Sequence, residues 1–240
     1  MKKLMAILMF FSIIFALTAC VENAAPESPA DSPPSTAAPT QPPETKPPST
    51  ESTPEMLEPD EEADITNILV AYFSRTGENY NVGVVEKGNT AIVAEIIAEQ
   101  TGGTLFEIQP VTPYPEGYED TKVIATQEKN DNARPAIFGT VDDIDSYDII
   151  FIGYPIWWGT NPMIVNTFLE SYDLSGKTLI PFCTAAGSGF GSSVSDIEVL
   201  CPDVEFLEGF TVPGADAQNS QSDVESSVID WLDRIAIAHE

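Results

Sequence analysis

Three short apolar runs, each bounded by polar residues, dominate the hydrophobic pattern of the chain. They cover residues 67–73, 148–154 and 178–183. Runs of this kind are typical of strands buried on both faces of a sheet, so we predict three central parallel strands. Pro181 disturbs the third run, because proline cannot donate a hydrogen bond to a neighbouring strand. The weaker, alternating segments 104–108 and 204–207 are predicted to form the two edge strands.

Helical periodicity separates the apolar runs. Residues 90–100 place four β-branched residues on one stripe and are followed by two glycines, which is a common way to end a helix. A further helix is expected at 193–200. The last segment repeats apolar residues at spacings of three and four, at Val224, Val228, Trp231, Leu232 and Ile235. This alternation predicts the α/β class, with a three-layer, doubly wound, five-stranded parallel sheet.

The first 63 residues have a different character. Two lysines and an apolar run precede Leu17-Thr18-Ala19-Cys20, which resembles the lipobox of bacterial lipoproteins. Residues 1–20 are therefore predicted to be a signal peptide with Cys20 as the lipidated N-terminus, the alternative being a simple signal peptide with an incidental cysteine. Residues 21–63 are rich in proline, serine and threonine, which predicts a disordered spacer.

Residues 64–240 are then expected to form one globular domain, tethered by the lipid anchor to the outer side of the cell membrane. The charge balance is strongly acidic, with 38 Asp and Glu against 10 Lys and Arg and a formal net charge of −28. Nucleic acid is not expected as a partner, because its phosphates would be repelled. A solvated acidic surface and a surface that attracts basic partners explain this charge equally well.

Ligands of doubly wound sheets bind beyond the carboxyl ends of the strands, so the loops after the central strands are candidate sites. After the first strand comes Ser74-Arg75-Thr76-Gly77, and after an insertion at 78–87, Gly88-Asn89-Thr90 opens the first predicted helix. Hydroxyl groups and free amides at a helix N-terminus bind anions. Ordinary turns and caps use the same residue types, and this motif alone does not decide between the two.

The other two loops offer a flat wall and close backbone approach. Tyr154-Pro155-Ile156-Trp157-Trp158-Gly159 places two adjacent indoles at the end of the second central strand, where one can meet an aromatic ligand and the other can pack on the core. The loop at 183–193 consists mainly of small residues, which let backbone groups approach a ligand edge. A flexible surface loop is the alternative reading of this segment.

Together these three segments resemble the flavodoxin-like family, and the likeness extends over residues 67–238. The resemblance implies strand order 2-1-3-4-5 and one non-covalently bound FMN, with its phosphate in the first loop and its isoalloxazine ring between the other two. It further implies that Arg75 and Gly77 supply mainly backbone groups. The phosphate donors implied by the match are Ser74, Thr76, Asn89 and Thr90.

The resemblance also assigns contacts to the ring. Trp157 or Trp158 would stack on it, with Trp158 the preferred candidate, and the Gly159 carbonyl resembles the group that turns to accept the N5 proton on reduction. The other ring contacts are assigned to Pro155, Ile156, Thr184, Gly187, Ser188 and Gly189. The chain departs from the family in two ways: the insertion splits the phosphate loop, and the last loop offers only Phe190 where electron carriers often place a tyrosine.

Two functions in particular remain open. One is an FMN electron carrier that exchanges electrons with a redox partner protein or a small acceptor; the other is an FMN-dependent oxidoreductase that passes hydride from NAD(P)H to a quinone-type acceptor. The sequence contains no dinucleotide-binding glycine motif after a strand, which favours the carrier without excluding the enzyme. A binding module without redox chemistry is a third alternative.

The remaining reactive residues are not expected to act. His239 lies beside the C-terminus, and no nucleophile, general base or metal-ligand set is recognisable. Cys183 and Cys201 are expected to stay unpaired, because the helix between them should hold their Cα atoms more than about 10 Å apart. A disulfide requires a separation below about 7 Å.

Overall fold

The sheet that carries the candidate site lies within residues 66–239, the part of the chain that the computed structural model describes. The predicted signal peptide, Cys20 and the spacer at 21–63 fall outside this range. The strands are β1 (Ile68–Tyr72), β2 (Gly77–Asn79), β3 (Gly83–Val85), β4 (Thr104–Glu107), β5 (Gln109–Pro110), β6 (Ile137–Phe138), β7 (Ile149–Pro155), β8 (Thr178–Ala185), β9 (Glu205–Phe206) and β10 (Phe210–Pro213). The α-helices are α1 (Asn89–Thr101), α2 (Tyr118–Asp131), α3 (Met163–Glu170), α4 (Ser193–Leu200), α5 (Gly214–Asn219) and α6 (Gln221–Arg234).

The main sheet has the order β4-β1-β7-β8-β10, with every pair parallel and the short β9 also paired to β8. Numbered along the chain, this is the order 2-1-3-4-5, so the predicted doubly wound α/β sheet is confirmed. The three apolar runs are its central strands, β1, β7 and β8, and nearly all their side chains are buried. Central parallel strands are covered on both faces, which explains their continuous apolar sequence.

The edge strand after α4 differs from the single strand predicted at 204–207. β9 covers only part of that segment, and β10 continues the same edge further along the chain. β9 pairs with the start of β8 and β10 with its end, so the gap lies opposite Pro181. Pro181 has no N–H to donate there, and a Cβ on Gly209 would lie 2.7 Å from the Pro181 carbonyl oxygen. The proline therefore coincides with a break in the edge strand while β8 itself continues.

Two apolar cores cover the faces of the sheet. Because successive side chains of a strand point to opposite faces, Val70 and Phe151 pack with α1 and α6, whereas Leu69 and Ile150 pack with α3 and α4. Trp231 of α6 is fully buried in the first of these cores. The apolar stripes predicted for α1 and α6 thus face the sheet.

Four elements near the site have no counterpart in the sequence prediction. β2 and β3 pair as an antiparallel hairpin, so the insertion at 78–87 is largely a folded unit. Helices α2, α3 and the short α5 are the other three. α2 has few buried positions and charged residues at both ends, which obscures its apolar stripe. None of the helices between residues 66 and 239 is long and apolar enough to cross a membrane.

Candidate functional site

A pocket of about 380 Å³ opens beyond the carboxyl ends of β1, β7 and β8. Its volume lies within the range of small-molecule sites, roughly 300 to 1,000 Å³. All three loops singled out in the sequence contribute to its lining. The predicted site residues found there are Arg75, Asn89, Pro155, Ile156, Trp157, Trp158, Gly159, Thr184 and Ser188.

The two halves of the first loop meet in space although ten residues separate them in sequence. Gly88, the residue before α1, packs on the strand-end segment so closely that a Cβ would lie 2.2 Å from Ser74 Oγ and 2.7 Å from the Arg75 carbonyl oxygen. Ser74 Oγ accepts a hydrogen bond from the Ala91 N–H at 3.1 Å. The insertion therefore loops out as the β2–β3 hairpin and leaves the start of α1 beside the end of β1.

The predicted phosphate donors divide into two groups. Ser74, Asn89 and Thr90 gather at the N-terminus of α1, where the first N–H groups of a helix have no partner within it. Thr90 pairs with the Thr184 hydroxyl at 2.9 Å, and Asn89 Oδ1 accepts from Gln218 Nε2 at 2.8 Å. The exposed side chain of Thr76 makes none of these contacts, and of the four predicted donors only Asn89 belongs to the pocket lining itself.

The Arg75 guanidinium donates hydrogen bonds to two segments of backbone. Nη1 donates to the carbonyl oxygens of Pro115 and Glu116 at 2.8 and 2.9 Å, and Nη2 donates to that of Glu78. Burial lowers the pKa of Arg75, and the nearby Glu78 opposes this shift. Gly77 supports the same junction, since a Cβ there would lie 2.6 Å from the Glu116 carbonyl oxygen.

The two tryptophans have different surroundings. Trp157 is half-buried and makes edge-on contacts with Phe73 and Tyr114, with ring centroids 5.5 and 5.1 Å apart. Trp158 is 54% exposed and lies at a positive φ of 51°, which is rare for a bulky residue. It shares a tight turn with Gly159, whose φ is also positive at 76°. Trp157 is thus a core residue at the pocket edge, and Trp158 presents a free face.

The turn around Trp158 is held from two sides. Lys129 Nζ of α2 donates to the Trp158 carbonyl oxygen at 2.7 Å. The Gly159 carbonyl oxygen accepts from the Ser192 N–H at 2.8 Å, next to the start of α4. Ser192 Oγ in turn donates to Asp196 at 2.8 Å. In this structure the Gly159 carbonyl is therefore engaged with Ser192.

The last loop contributes small residues to the pocket. Thr184 and Ser188 line it together with Ala185 and Ala186, which lie in the same predicted stretch from Thr184 to Gly189. Gly187 and Gly189 lie outside the lining, and the Gly189 carbonyl oxygen instead accepts a weak hydrogen bond from Cys183 Sγ at 3.8 Å.

Sequence reasoning missed a further wall of the pocket. It consists of the hairpin residues Asn79, Tyr80 and Val82, the α2 residues Tyr118, Thr121, Lys122 and Ala125, and Gly214 at the start of α5. The hairpin carries a detectable signal, because apolar Tyr80 and Val82 alternate with asparagines inside a polar segment. α2 offers no comparable signal.

Comparison with known proteins gives a family and a set of related structures. The flavodoxin family model matches residues 67–234. A crystal structure from Bacteroides eggerthii DSM 20697, provisionally classed as a flavoprotein, is 37% identical with a TM-score of 0.59 and covers 72% of this chain and 99% of its own. This chain belongs to the flavodoxin family.

Two further structures extend the comparison. A Bacteroides uniformis ATCC 8492 protein, also provisionally classed as a flavoprotein, is 34% identical with a TM-score of 0.56 and covers 68% of this chain and 98% of its own. A flavoprotein in complex with FMN from Lactobacillus acidophilus NCFM is 24% identical with a TM-score of 0.49 and covers 67% of this chain and 99% of its own. The comparison with curated proteins gave no match.

The pocket of this flavodoxin-family domain differs in charge from the chain as a whole. Among the described residues that line it, Arg75 and Lys122 are cationic and no carboxylate is present, although acidic residues outnumber basic ones 38 to 10 in the full sequence. An anionic ligand therefore meets no carboxylate in the lining.

The two cysteine thiols of the described domain are buried in its core and are not exposed to react. Cys183 and Cys201 are buried and unpaired, as predicted. Burial raises the pKa of Cys183 to about 12 and that of Cys201, which also faces the charge of Glu170, to about 11. Both thiols therefore stay protonated near neutral pH. No cluster of metal-ligating side chains occurs within residues 66–239.

Proposed function

We propose that residues 66–239 bind one FMN and that the chain is an electron carrier held outside the cytoplasmic membrane by a lipid on Cys20. FMN is the cofactor of the flavodoxin family to which the chain belongs. When bound, the flavin supplies the one- and two-electron chemistry. The protein binds the cofactor, orients it and limits its contact with water.

The observation that carries this proposal is the pairing of a helix N-terminus with an exposed tryptophan in one carboxylate-free pocket. The first turn of α1 offers backbone N–H groups beside Ser74 and Asn89, which suits the terminal phosphate of FMN. Trp158 offers a flat apolar face that suits the ring. Ser188 offers a polar side chain that suits the edge of the ring.

Electron exchange with a partner protein is favoured by the charge of the chain. A formal net charge of −28 produces a long-range field that attracts basic proteins and speeds their encounter with the domain. A redox partner with a basic surface is accordingly the class of partner that we propose. The membrane tether is supported by the Leu17 to Cys20 pattern and by the proline-rich segment that follows it.

Flavin spectroscopy tests the redox part of the proposal. The purified protein should show the visible absorption of bound FMN, retain FMN in preference to FAD, and be reduced by dithionite under anaerobic conditions. Sustained oxidation of NADH or NADPH with a quinone acceptor would instead make the protein an oxidoreductase. A colourless protein that takes up no added FMN would indicate a binding module without redox chemistry.

Cell fractionation tests the tether. The wild-type chain should partition with membranes and carry the mass of a lipid on Cys20, whereas Cys20→Ala should abolish both the added mass and the membrane association. An unmodified Cys20 in a membrane-free wild-type chain would contradict the tether without affecting the FMN proposal.

A further inference from the structure

The loop after β8 supplies no aromatic side chain to the pocket. Its aromatic residue, Phe190, is half-buried against the second core instead. A Cβ on Gly209 would lie 2.5 Å from Phe190 Cζ, so the phenyl ring is packed against that backbone. Trp158, on the loop after β7, therefore has no aromatic counterpart in the loop after β8.

The β2–β3 hairpin provides an aromatic side chain from another direction. Tyr80 lies in the hairpin turn, lines the same pocket as Trp158 and is 58% exposed. Its ring centroid is 5.6 Å from that of Tyr118 at the start of α2, with the planes tilted by 31°. Tyr118 also lines the pocket. Two aromatic rings from different elements thus form one surface of it.

Hydrogen bonds join this hairpin to the start of α2. The Glu78 N–H donates to the Glu116 carbonyl oxygen at 2.7 Å, and the Glu78 carboxylate accepts from the Tyr118 N–H at 3.0 Å. The guanidinium of Arg75 donates to carbonyl oxygens on both segments. The position of Tyr80 is therefore set by a bonded junction between the hairpin and α2.

We infer that Tyr80, supported by Tyr118, is the second aromatic wall of the flavin-ring site, a role that the loop after β8 does not fill. This inference rests on the proposed FMN site. Tyr80 and Trp158 each leave more than half of the side chain in water although both line one pocket. A planar aromatic ligand that contacts both rings buries this apolar surface.

Enclosure of the flavin ring limits which electron donors can reach it. A flavin ring enclosed by Tyr80 and Trp158 exchanges electrons at its exposed edge. Hydride transfer from a nicotinamide requires an open ring face on which the nicotinamide can stack. Tyr80 therefore disfavours nicotinamide turnover, and its removal should expose a ring face.

Titration of the full chain, freed of flavin, with FMN and with riboflavin tests the inference. Tyr80→Ala should weaken both ligands by a similar factor, roughly three- to tenfold, because riboflavin has the same ring and lacks only the phosphate. The fluorescence of the bound flavin should rise, since a stacked phenol quenches it. Tyr80→Phe should behave like the wild type, because the ring is retained.

Phe138→Ala is the matched control, since Phe138 is an exposed aromatic residue outside the pocket lining. It should leave affinity and fluorescence unchanged. The inference would be overturned if Tyr80→Ala matched this control in both affinity and fluorescence, or if it weakened FMN but not riboflavin. Either result would leave the proposed function intact. Failure of the wild-type chain to bind either flavin would overturn both.

Discussion

The polar and the aromatic side chains at the pocket are held in opposite ways. At the start of α1, the polar side chains already have partners within the protein: Ser74 with Ala91, Thr90 with Thr184 and Asn89 with Gln218. By contrast, Trp158 and Tyr80 are more than half exposed although they line the same pocket. The polar group is held together by its own hydrogen bonds, and the aromatic group presents apolar surface to water.

This difference separates stability from affinity. A polar residue at the α1 end serves the fold and, by our proposal, the phosphate, so its replacement should lower both. An exposed aromatic residue contributes little to the fold, so its replacement should change ligand binding almost alone. The following substitutions test that division.

The largest effect on binding is expected for Ser74→Ala combined with Thr76→Ala. Each lost hydrogen bond to a charged phosphate should cost about 1.5 to 3 kcal/mol, so FMN should be weakened far more than riboflavin. Because the Thr76 side chain is exposed, whereas Ser74 Oγ is bonded to the Ala91 N–H in the first turn of α1, the single variant Thr76→Ala should contribute little. Calorimetric titration with both ligands measures the difference, and equal weakening of FMN and riboflavin would place the phosphate elsewhere.

The packing at the α1 end is tested by a matched pair of glycines. Gly88 and Gly117 precede α1 and α2 with nearly the same backbone angles, φ −68°, ψ 150° and φ −73°, ψ 138°. A Cβ on Gly88 would lie 2.2 Å from Ser74 Oγ, whereas one on Gly117 would meet nothing closer than 3.7 Å. Gly88→Ala should therefore destabilise the domain by about 1 to 3 kcal/mol.

Chemical denaturation of both glycine variants provides the measurement. Gly117→Ala should change the free energy of unfolding by no more than about 0.5 kcal/mol. Gly88→Ala should in addition weaken FMN, because the anion site loses its closed geometry. If the two variants were equally stable, the two segments of the phosphate loop would not be in contact in solution.

A smaller effect is expected for the aromatic group, where Trp158→Ala should weaken FMN by about 0.5 to 1.5 kcal/mol. It should shift the flavin spectrum and leave the melting temperature nearly unchanged. Trp157→Ala should do the reverse, because its ring packs on Phe73 and Tyr114. A spectrum that moves with Trp157→Ala and not with Trp158→Ala would exchange the two assignments.

Cys183 and Cys201 should not react with an alkylating reagent while the domain is folded, because both are buried and protonated. Intact-mass analysis should show both labelled only after unfolding, without prior reduction. Folding raises both pKa values, so above about pH 8.5 the unfolded chain loses thiol protons that the folded domain still holds. The free energy of unfolding should therefore fall as the pH rises towards 11. A mass two hydrogens lower would reveal a disulfide.

The sequence by itself determined the sheet and the three loops of the site. Strands buried on both faces must be apolar throughout, so β1, β7 and β8 could be recognised without knowledge of their neighbours. Their connection through helices then defined one edge at which all three loops end. This is why most of the predicted site residues line one pocket, among them Asn89, Trp158 and Thr184.

Only the tertiary structure decided which side chains share that pocket and which serve the fold. The hairpin and α2 reach the site through contacts between residues far apart in the chain, such as Arg75 with Pro115, and local patterns carry no record of such contacts. The same holds for the two adjacent tryptophans, which look equivalent in sequence. The positive φ of Trp158 and the core contacts of Trp157 turn them in different directions, and backbone conformation at a turn depends on what packs around it.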